Sequence, residues 1–327
     1  MFSWENKHVL VTGSSGFVGS HLCKALVDKG AKVFALHIGR ASFKTNPVFS
    51  QTNNLPMTHL YGSIERYSMV KKVIKENKIT IVYHLAAQPL VEIGQASPLT
   101  TFESNIRGTW SVLEAARVNK VDKVVIASTT HVYGDNPNLP YKEEFFPQPS
   151  RPYETSKACA DLLAQSYADT YSLPVEIPRF ANIYGPGDTN SSRLIPKVMQ
   201  SVLSEKNPHV WDVGAVRDFL YIDDAVKAYL RLVESDLPNN RRVRVINFGL
   251  GKPIRVVSVV RQIIKLSGNK RLKVITQKVP DVREKEIRKQ YTSIQKARKL
   301  LKWKPEIALD EGLKKTFEWY QKFYKNV

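Results

Sequence analysis

Tyr153 and Lys157 are the residues whose types and spacing most directly suggest chemistry. They stand four positions apart in RPYETSKACADLL, so a helix places both side chains on one face. A nearby ammonium group favours the phenolate, which lowers the tyrosine pKa and lets Tyr153 act as a base near neutral pH. Thr129, at the end of the apolar run KVVIAS, can hydrogen-bond the same phenol. The pair becomes informative only together with a dinucleotide site upstream.

A glycine-rich segment near the N-terminus has the composition of such a dinucleotide site. It follows the apolar run HVLVTG and precedes SHLCKALVDKG, which reads as a helix. Glycines at these positions allow a tight turn, close approach to a pyrophosphate and tight packing of the helix, whose N-terminus attracts phosphate. We therefore expect the following residues to bind a nicotinamide dinucleotide: Gly13, Ser15, Gly16, Phe17, Val18 and Gly19.

The end of the second predicted strand, KVFALHI, should carry the residue that reads the adenosine ribose. NAD-binding chains normally have Asp or Glu there, whereas this chain has His37. Arg40 follows closely and can pair with a 2'-phosphate, so we expect NADP in preference to NAD; the alternative is an ordinary loop arginine. Ser63 and Ile64, after the third strand, are expected beside the adenine.

The overall pattern up to about Pro178 alternates Val/Ile/Leu-rich runs with amphipathic stretches, which is typical of an α/β fold with a parallel sheet. After Phe180 the segment IYGPGDTNSSRLIP is rich in Gly, Pro and Ser, and RDFLYIDDAVKAYLRLVE then returns as a strand end and a helix. We predict a doubly wound Rossmann sheet from residues 1–178 with 217–236. Residues 179–216 with 237–327 are predicted to form a smaller α/β substrate domain.

Composition limits the class of protein. The 327 residues are 43% hydrophobic, and no apolar run approaches the roughly 20 residues of a membrane helix, so we expect a cytoplasmic protein with no membrane contact. The two cysteines, Cys23 and Cys159, suggest no metal site. The net charge of +19 raises nucleic acid as a partner, because fifteen Lys or Arg face three Asp or Glu between Arg261 and Lys304. Without a nucleic-acid motif, a solvated helical face is the preferred interpretation.

Several motifs together resemble the extended short-chain dehydrogenase/reductases of the nucleotide-sugar epimerase/dehydratase family. They are VTGSSGFVGSHL, HLAAQ, NIRGT, STTHVYG, PYETSK, RFANIYGPGD and RDFLYIDDAV, and they cover nearly the whole chain. Within the family, HLAAQPLV, YGPGDTNSSRLIP and EIRKQYTSIQKARKLLKWKP most resemble CDP-glucose 4,6-dehydratase-like and GDP-mannose 4,6-dehydratase-like members.

The resemblance implies a first step at C4 of a nucleoside-diphosphate sugar. Tyr153 would take the 4-hydroxyl proton while hydride leaves C4 for the nicotinamide, Lys157 would hold the nicotinamide ribose, and Thr129 would orient the hydroxyl. A 4,6-dehydratase then removes the C5 proton and the 6-hydroxyl and returns hydride to C6, whereas a 4-epimerase returns hydride to the other face of C4. The resemblance also places Leu85, Ala86 and Ala87 at the cofactor, and Gln88, Asn182, Arg193, Arg217 and Arg283 at the substrate.

Thr130 and His131 depart from the family pattern. Dehydratases usually carry a carboxylate or another acid/base at these two positions, and here His131 can exchange the C5 proton while Thr130 bonds the 6-hydroxyl. The alternative is that His131 only packs locally, as in epimerases. We therefore predict an enzyme that carries out C4 oxidation leading to 4,6-dehydration, in a homodimer. The alternatives are a 4-epimerase, a keto-sugar reductase, or a non-catalytic Rossmann binding protein.

Overall fold

The computed structural model describes residues 2–39, 55–235, 237, 244–277 and 287–325. Arg40 and Arg283 therefore lie outside the described residues. The strands, in chain order, are β1 His8–Thr12, β2 Lys32–His37, β3 Met57–Tyr61, β4 Ile81–His84, β5 Lys123–Ile126, β6 Ser128–Thr129, β7 Val175–Phe180, β8 Asn182–Tyr184, β9 His209–Val210, β10 Val216–Arg217, β11 Phe219–Tyr221, β12 Val245–Phe248, β13 Ile254–Arg255 and β14 Ile275–Thr276.

The helices connect these strands and cover the sheet. A π-helical turn, Glu103–Arg107, joins the fourth helix to the fifth, and a 3₁₀ turn, Thr130–Tyr133, follows β6. The α-helices are α1 Phe17–Asp28, α2 Tyr67–Glu76, α3 Val91–Ala96, α4 Pro98–Phe102, α5 Gly108–Val118, α6 Pro152–Tyr171, α7 Leu194–Leu203, α8 Ile222–Glu234, α9 Val256–Ser267, α10 Gln295–Leu301 and α11 Leu309–Lys325.

The main sheet is parallel and has the order β12-β7-β5-β4-β1-β2-β3, with β6 also paired to β7. Strands β4 and β7 are buried along their whole length, as expected for a sheet covered by helices on both faces. The strand order reverses direction at β1, which lies between β2 and β4. Ligands of such folds bind beyond the carboxyl ends of the strands at this switch point. The predicted Rossmann α/β fold is confirmed.

Helix α6 carries the predicted catalytic pair. Pro152 occupies its first turn, where a proline is favoured because the missing N–H has no partner there, and the helix ends at Ser172 in a left-handed conformation. The face that includes Lys157, Ala160, Ala164 and Ala168 is buried, so the small side chains let the helix lie close to its neighbours. This packing places Lys157 beside the carboxyl ends of β5 and β6.

The C-terminal part contains three small two-stranded sheets, formed by β8 with β11, β9 with β14, and β10 with β13. Helix α8 packs against α1. Strand β12 belongs to the main sheet, where it pairs with β7, although the predicted boundary assigned residues 245–248 to the second domain. The remainder of the two-domain division stays a prediction. One cluster of buried apolar side chains extends from β1 to α11, and a second includes Leu10 of β1 and Val82 of β4.

Helices long and apolar enough to cross a membrane do not occur among the described residues.

Candidate active site

The glycine-rich loop after β1 packs directly on the backbone that follows β4. Gly13 has a φ of +69°, and a Cβ there would lie 2.7 Å from the amide nitrogen of Ala86. A Cβ on Gly19 would lie 2.2 Å from the carbonyl oxygen of Gly13. Because both contacts are with backbone atoms, no side chain can be added without moving the chain. Two of the predicted cofactor segments thus meet at the switch point of the sheet.

The start of helix α1 fits the phosphates of a dinucleotide. Gly16 is its N-terminal cap and no side chain caps the helix, so the amide groups of the first turn keep their capacity to bind an anion. Phe17 and Val18, in that first turn, line the large cavity described below. The loop and the helix end have the shape and the donors that a nicotinamide dinucleotide requires.

A chain of buried hydrogen bonds holds the predicted cofactor segment from Leu85 to Ala87. Nδ1 of His84 lies 2.8 Å from the Thr12 hydroxyl, and its Nε2 lies 3.1 Å from the Thr109 hydroxyl. The Thr12 hydroxyl also accepts a hydrogen bond from the amide of Ala86. Burial, together with the charge of Lys157, lowers the pKa of His84 to about 3, so this link is uncharged near neutral pH.

His37 ends β2 as predicted, but its side chain is only 1% exposed. Its Nδ1 lies 3.1 Å from the Ser14 hydroxyl, and its Nε2 lies 3.1 Å from Nδ1 of His59. Burial and the neighbouring His59 lower the pKa of His37 to about 4, so the ring is neutral near pH 7. The structure therefore does not support the expected direct contact of His37 with the cofactor, because the ring is buried between Ser14 and His59.

Ser63 and Ile64 follow β3 beside this position, since the amide of Gly62 donates to the carbonyl oxygen of His37. Ile64 is buried and packs against the backbone of Gly108 at the start of α5. Ser63 accepts a hydrogen bond from the amide of Glu65. Their predicted location next to the adenosine end is consistent with this placement.

A cavity of about 410 Å³ lies between the carboxyl end of the sheet and the C-terminal part. This volume suits a small organic ligand. It is lined by residues of the predicted cofactor, catalytic and substrate sets, namely Phe17, Val18, Thr129, His131, Tyr153, Asn182, Arg193 and Arg217. The tertiary structure thus brings together side chains that are up to 200 positions apart in the sequence.

Tyr153 and Thr129 both line the cavity, and the predicted hydrogen bond between their hydroxyl groups stays a prediction. Burial raises the pKa of Tyr153 above its usual value, while the positive charge of Arg193 and the nearby Thr129 hydroxyl act in the opposite direction. The expectation that Lys157 lowers this pKa needs correction, because the cation acting on the phenol here is Arg193. In the protein alone, burial therefore favours the protonated phenol, and the positive charge of an oxidised nicotinamide would favour the phenolate when that cofactor is bound.

Lys157 points to the end of β5 instead. Its Nζ donates to the carbonyl oxygen of Ala127 over 2.5 Å, and the side chain is buried. Burial lowers the pKa of Lys157 to about 8, and the carboxylate of Asp161 only partly opposes this effect. Lys157 therefore reaches the same strand end as Tyr153, although it does not line the cavity. Its predicted contact with a nicotinamide ribose stays a prediction.

His131 lines the cavity next to Tyr153, and the two rings make an edge contact with centroids 6.1 Å apart. Its Nδ1 lies 3.6 Å from Oε1 of Glu154. Burial raises the pKa of Glu154, but the interactions with His131 and Arg151 outweigh it and bring the value to about 2. A carboxylate thus stands behind the histidine.

Two predicted site residues are placed elsewhere. Thr130 is 1% exposed and does not line the cavity, so its expected bond to a sugar hydroxyl is not supported. The first 3₁₀ turn after β6 directs it inward. Gln88 also lies outside the lining, because its amide nitrogen donates to Leu90 and Thr101 and its amide oxygen accepts from Leu90. This side chain holds the loop before α3 and is not placed to bind substrate.

Three other predicted substrate residues, Asn182, Arg193 and Arg217, line the cavity, whereas Arg283 lies outside the described residues. The Asn182 side chain donates to the carbonyl oxygen of Asp218, and Nη1 of Arg217 donates to the carbonyl oxygens of Val216 and Arg288. Arg193 forms a 2.9 Å ion pair with Asp188. These contacts leave two guanidinium groups on the wall of a cavity that also contains the phenol.

Sequence reasoning missed Glu154, Arg151, Asp188 and the Trp211–Lys197 pair. Nζ of Lys197 lies 4.0 Å from the centre of the Trp211 ring, on the same cavity wall. Glu154 directly follows Tyr153, so a carboxylate in the first turn of the catalytic helix was an available signal. Arg151 is the N-terminal cap of the same helix, whereas Asp188, Lys197 and Trp211 lie elsewhere in the chain and no sequence pattern connects them to it. Among the described residues, no group of three His, Cys, Asp or Glu side chains is arranged to hold a metal ion.

Known proteins resemble this chain along its whole length. The sequence model of one family, described as GDP-mannose 4,6 dehydratase, matches residues 10–316. The dTDP-D-glucose 4,6-dehydratase of Mus musculus is 31% identical over 327 residues, covering 98% of this chain and 90% of that protein.

Two solved structures show the same similarity. UDP-glucose 4-epimerase from Thermotoga maritima, solved with UDP-glucose, has a TM-score of 0.88 and 28% identity, and the match covers 97% of this chain and 99% of that one. The dTDP-glucose 4,6-dehydratase of Bacillus anthracis, solved with NAD, has a TM-score of 0.84 and 27% identity, with 98% of both chains covered. The family match spans most of the chain, and relatives of both reaction types align with it. The chain therefore belongs to the GDP-mannose 4,6 dehydratase family, within the enzymes that act as nucleotide-sugar epimerases and dehydratases.

Proposed function

We propose that this enzyme oxidises C4 of a nucleoside-diphosphate sugar and then dehydrates it to a 4-keto-6-deoxy product. The observation that carries this proposal is the position of His131, which lines the cavity with its ring against Tyr153. A dehydratase needs a second acid/base beside the tyrosine, and an imidazole exchanges protons near neutral pH.

The chain's own residues have separate roles in this reaction. Tyr153 accepts the proton of the 4-hydroxyl, and the hydroxyl of Thr129, which lines the same cavity, orients that 4-hydroxyl. The bound nicotinamide dinucleotide supplies the hydride acceptor at C4 and later the hydride donor at C6. His131 takes the C5 proton, which the 4-keto group has made acidic, and the 6-hydroxide leaves as water. The two protons taken from O4 and C5 are both given back, one to the leaving hydroxide and one to C5 when hydride returns to C6. Net loss is one water.

The diphosphate of the substrate is assigned to Asn182, Arg193 and Arg217. A guanidinium bonds two phosphate oxygens at once, so two arginines on one wall suit a diphosphate better than a neutral sugar. Arg283 is retained as a further candidate from the sequence. The nucleotide and the sugar are not specified by these contacts.

NADP is the proposed cofactor, with NAD as the alternative. No carboxylate occurs at the described positions 37–39 or 62–64, where one would bind the ribose hydroxyls and repel a 2'-phosphate. The Bacillus anthracis relative was solved with NAD, so the preference requires direct measurement. We expect the unmodified protein to bind NADP more tightly than NAD and Arg40→Ala to narrow that difference. Equal or tighter binding of NAD by the unmodified protein would refute the preference.

4-Epimerisation is the second candidate. The burial of Thr130 favours it, because the position that usually carries a dehydratase acid does not face the cavity. The Thermotoga maritima relative is an epimerase. An epimerase has no need for a base at C5, so exchange of the C5 proton separates the two reactions.

The experiment begins with a panel of nucleotide sugars and both cofactors, with products read by mass. Loss of water indicates dehydration, and an isomer of unchanged mass indicates epimerisation. With a competent substrate, exchange of C5–H is followed by NMR in deuterated water. His131→Ala should retain hydride transfer from C4 yet lose exchange by about 10²- to 10⁴-fold. His8→Ala, at the opposite end of β1, is the matched control and should exchange normally.

Absence of C5 exchange in the wild-type enzyme would refute dehydration and favour the epimerase. Unchanged exchange in His131→Ala would leave His131 as a structural residue. A homodimer, expected from the family resemblance, is proposed separately and is tested by light scattering on the purified protein.

A further inference from the structure

Glu154 is a buried carboxylate directly behind the cavity wall. Its side chain is fully buried, and Oε1 accepts hydrogen bonds from Nε and Nη2 of Arg151 over 3.1 and 2.5 Å. Oε2 accepts a 3.4 Å hydrogen bond from the amide of Ser150. Because an unpaired buried charge is costly, such a carboxylate is retained only where its partners are held in place. Arg151 fixes the position of Glu154 and balances its charge.

His131 presents one ring nitrogen to this carboxylate. Nδ1 is buried and lies 3.6 Å from Oε1 of Glu154, and no described residue offers Nδ1 a partner within normal hydrogen-bond distance. The rest of the ring belongs to the cavity wall, and 21% of the side chain is exposed. The ring is therefore oriented with Nδ1 towards Glu154 and with Nε2 as the nitrogen available to a ligand.

We propose that Glu154 is the positioning residue for His131. Its carboxylate, 3.6 Å from Nδ1, attracts the Nδ1–H proton without removing it, and so fixes the imidazole in the tautomer whose unprotonated Nε2 faces the sugar. An acceptor on one ring nitrogen sets the tautomer at the other, which is how a carboxylate orients a catalytic histidine. The proposed step at C5 rests on the proposed function, whereas the tautomer of His131 is a property of the protein alone.

The charge balance around the pair supports this role. An isolated carboxylate beside the imidazole would strongly favour the protonated ring, which cannot accept a proton. Arg151 neutralises most of the charge of Glu154 while leaving Oε1 as an acceptor. Of the other titratable groups that line this cavity, Tyr153 is in ring contact with His131, and Arg193 acts on Tyr153. The arrangement orients His131 without requiring it to be charged.

The first measurement uses the wild-type protein without substrate. The protein is labelled with ¹⁵N-histidine, the His131 signals are identified by their loss in His131→Ala, and the nitrogen chemical shifts distinguish the two tautomers. We expect the proton of the neutral ring on Nδ1. A proton on Nε2 would overturn the proposal whatever reaction the enzyme catalyses, and this reading needs no variant at position 154.

The second measurement compares Glu154→Gln with the wild type. The amide is a weaker acceptor and can itself donate to Nδ1, so we expect the Nε2–H tautomer to gain population. The rate of C5 exchange should fall by about 100-fold, which is the low end of what a positioned base contributes. The rate of hydride transfer from C4 and the substrate KM should each change by less than about 3-fold, because Glu154 contacts neither the 4-hydroxyl nor the diphosphate site. Glu144→Gln, whose parent side chain is 70% exposed, is the matched control and should behave as wild type.

The outcomes separate the two hypotheses. A wild-type enzyme that turns over without C5 exchange refutes the proposed dehydration, and the tautomer alone then decides the role of Glu154. An unchanged tautomer and unchanged exchange in Glu154→Gln refute the positioning role while leaving His131 as the base. If Glu154→Gln does not fold, the wild-type tautomer remains the deciding measurement.

Discussion

Lys157→Met should change how the stability of the fold depends on pH. Burial lowers the pKa of Lys157 to about 8, whereas the unfolded chain retains the ordinary value of 10.5. Below about pH 8 the folded protein holds a buried ammonium at a cost in free energy. Between about pH 8 and 10.5 the folded state releases this proton while the unfolded state keeps it, so the free energy of unfolding rises with pH.

The size of the effect follows from the two pKa values. Their difference corresponds to about 3 kcal/mol of unfolding free energy over the whole window, and to about 2 kcal/mol between pH 7.5 and pH 10. Methionine is an unbranched side chain one atom shorter than lysine, and it removes the charge. It also loses the hydrogen bond to the carbonyl oxygen of Ala127. This loss lowers the free energy of unfolding by the same amount at both pH values, so it does not affect the comparison between them.

Urea unfolding of wild type and variant at the two pH values measures this difference by linear extrapolation. From the lower to the higher pH, the wild type should gain about 2 kcal/mol relative to Lys157→Met. Lys265→Met, on the exposed face of α9, is the control and should follow the wild type. Equal gains in wild type and Lys157→Met would show that Lys157 does not carry the buried charge assigned to it.

Three further substitutions test the site. Tyr153→Phe should retain the fold and cofactor binding, measured by titration, but lose about 10²- to 10⁴-fold in kcat; near wild-type kcat would exclude Tyr153 as the proton acceptor. Gly19→Ala places a Cβ 2.2 Å from the carbonyl oxygen of Gly13, so it should destabilise the fold by about 1–3 kcal/mol and weaken dinucleotide binding. Unchanged binding would contradict the close packing of the loop. Arg217→Ala should raise the substrate KM about 10- to 100-fold with little change in cofactor affinity, and an unaltered KM would remove Arg217 from the diphosphate site.

The sequence alone determined the sheet, its cofactor loop and the catalytic helix. Apolar runs such as IVYH have no polar alternation, so they must be buried on both faces, and this predicts a parallel sheet before any pairing is known. The four-residue spacing of Tyr153 and Lys157 is likewise a local property of a helix. Strand β12 was misassigned because it is short and far along the chain, and only its pairing with β7 identifies it as part of the sheet.

The tertiary structure alone decided which side chains meet and in what charge state. Spacing on one helix suggested that Lys157 acts on Tyr153, yet in the folded chain Arg193 does so, from a loop forty residues away. The burial of His37 and Thr130, and the approach of Glu154 to His131, depend in the same way on how α6, β2 and the turn after β6 pack. Local patterns specify secondary structure because hydrogen bonding and burial repeat along the chain. Electrostatics in a site depends on desolvation and on distances between remote residues, which exist only after folding.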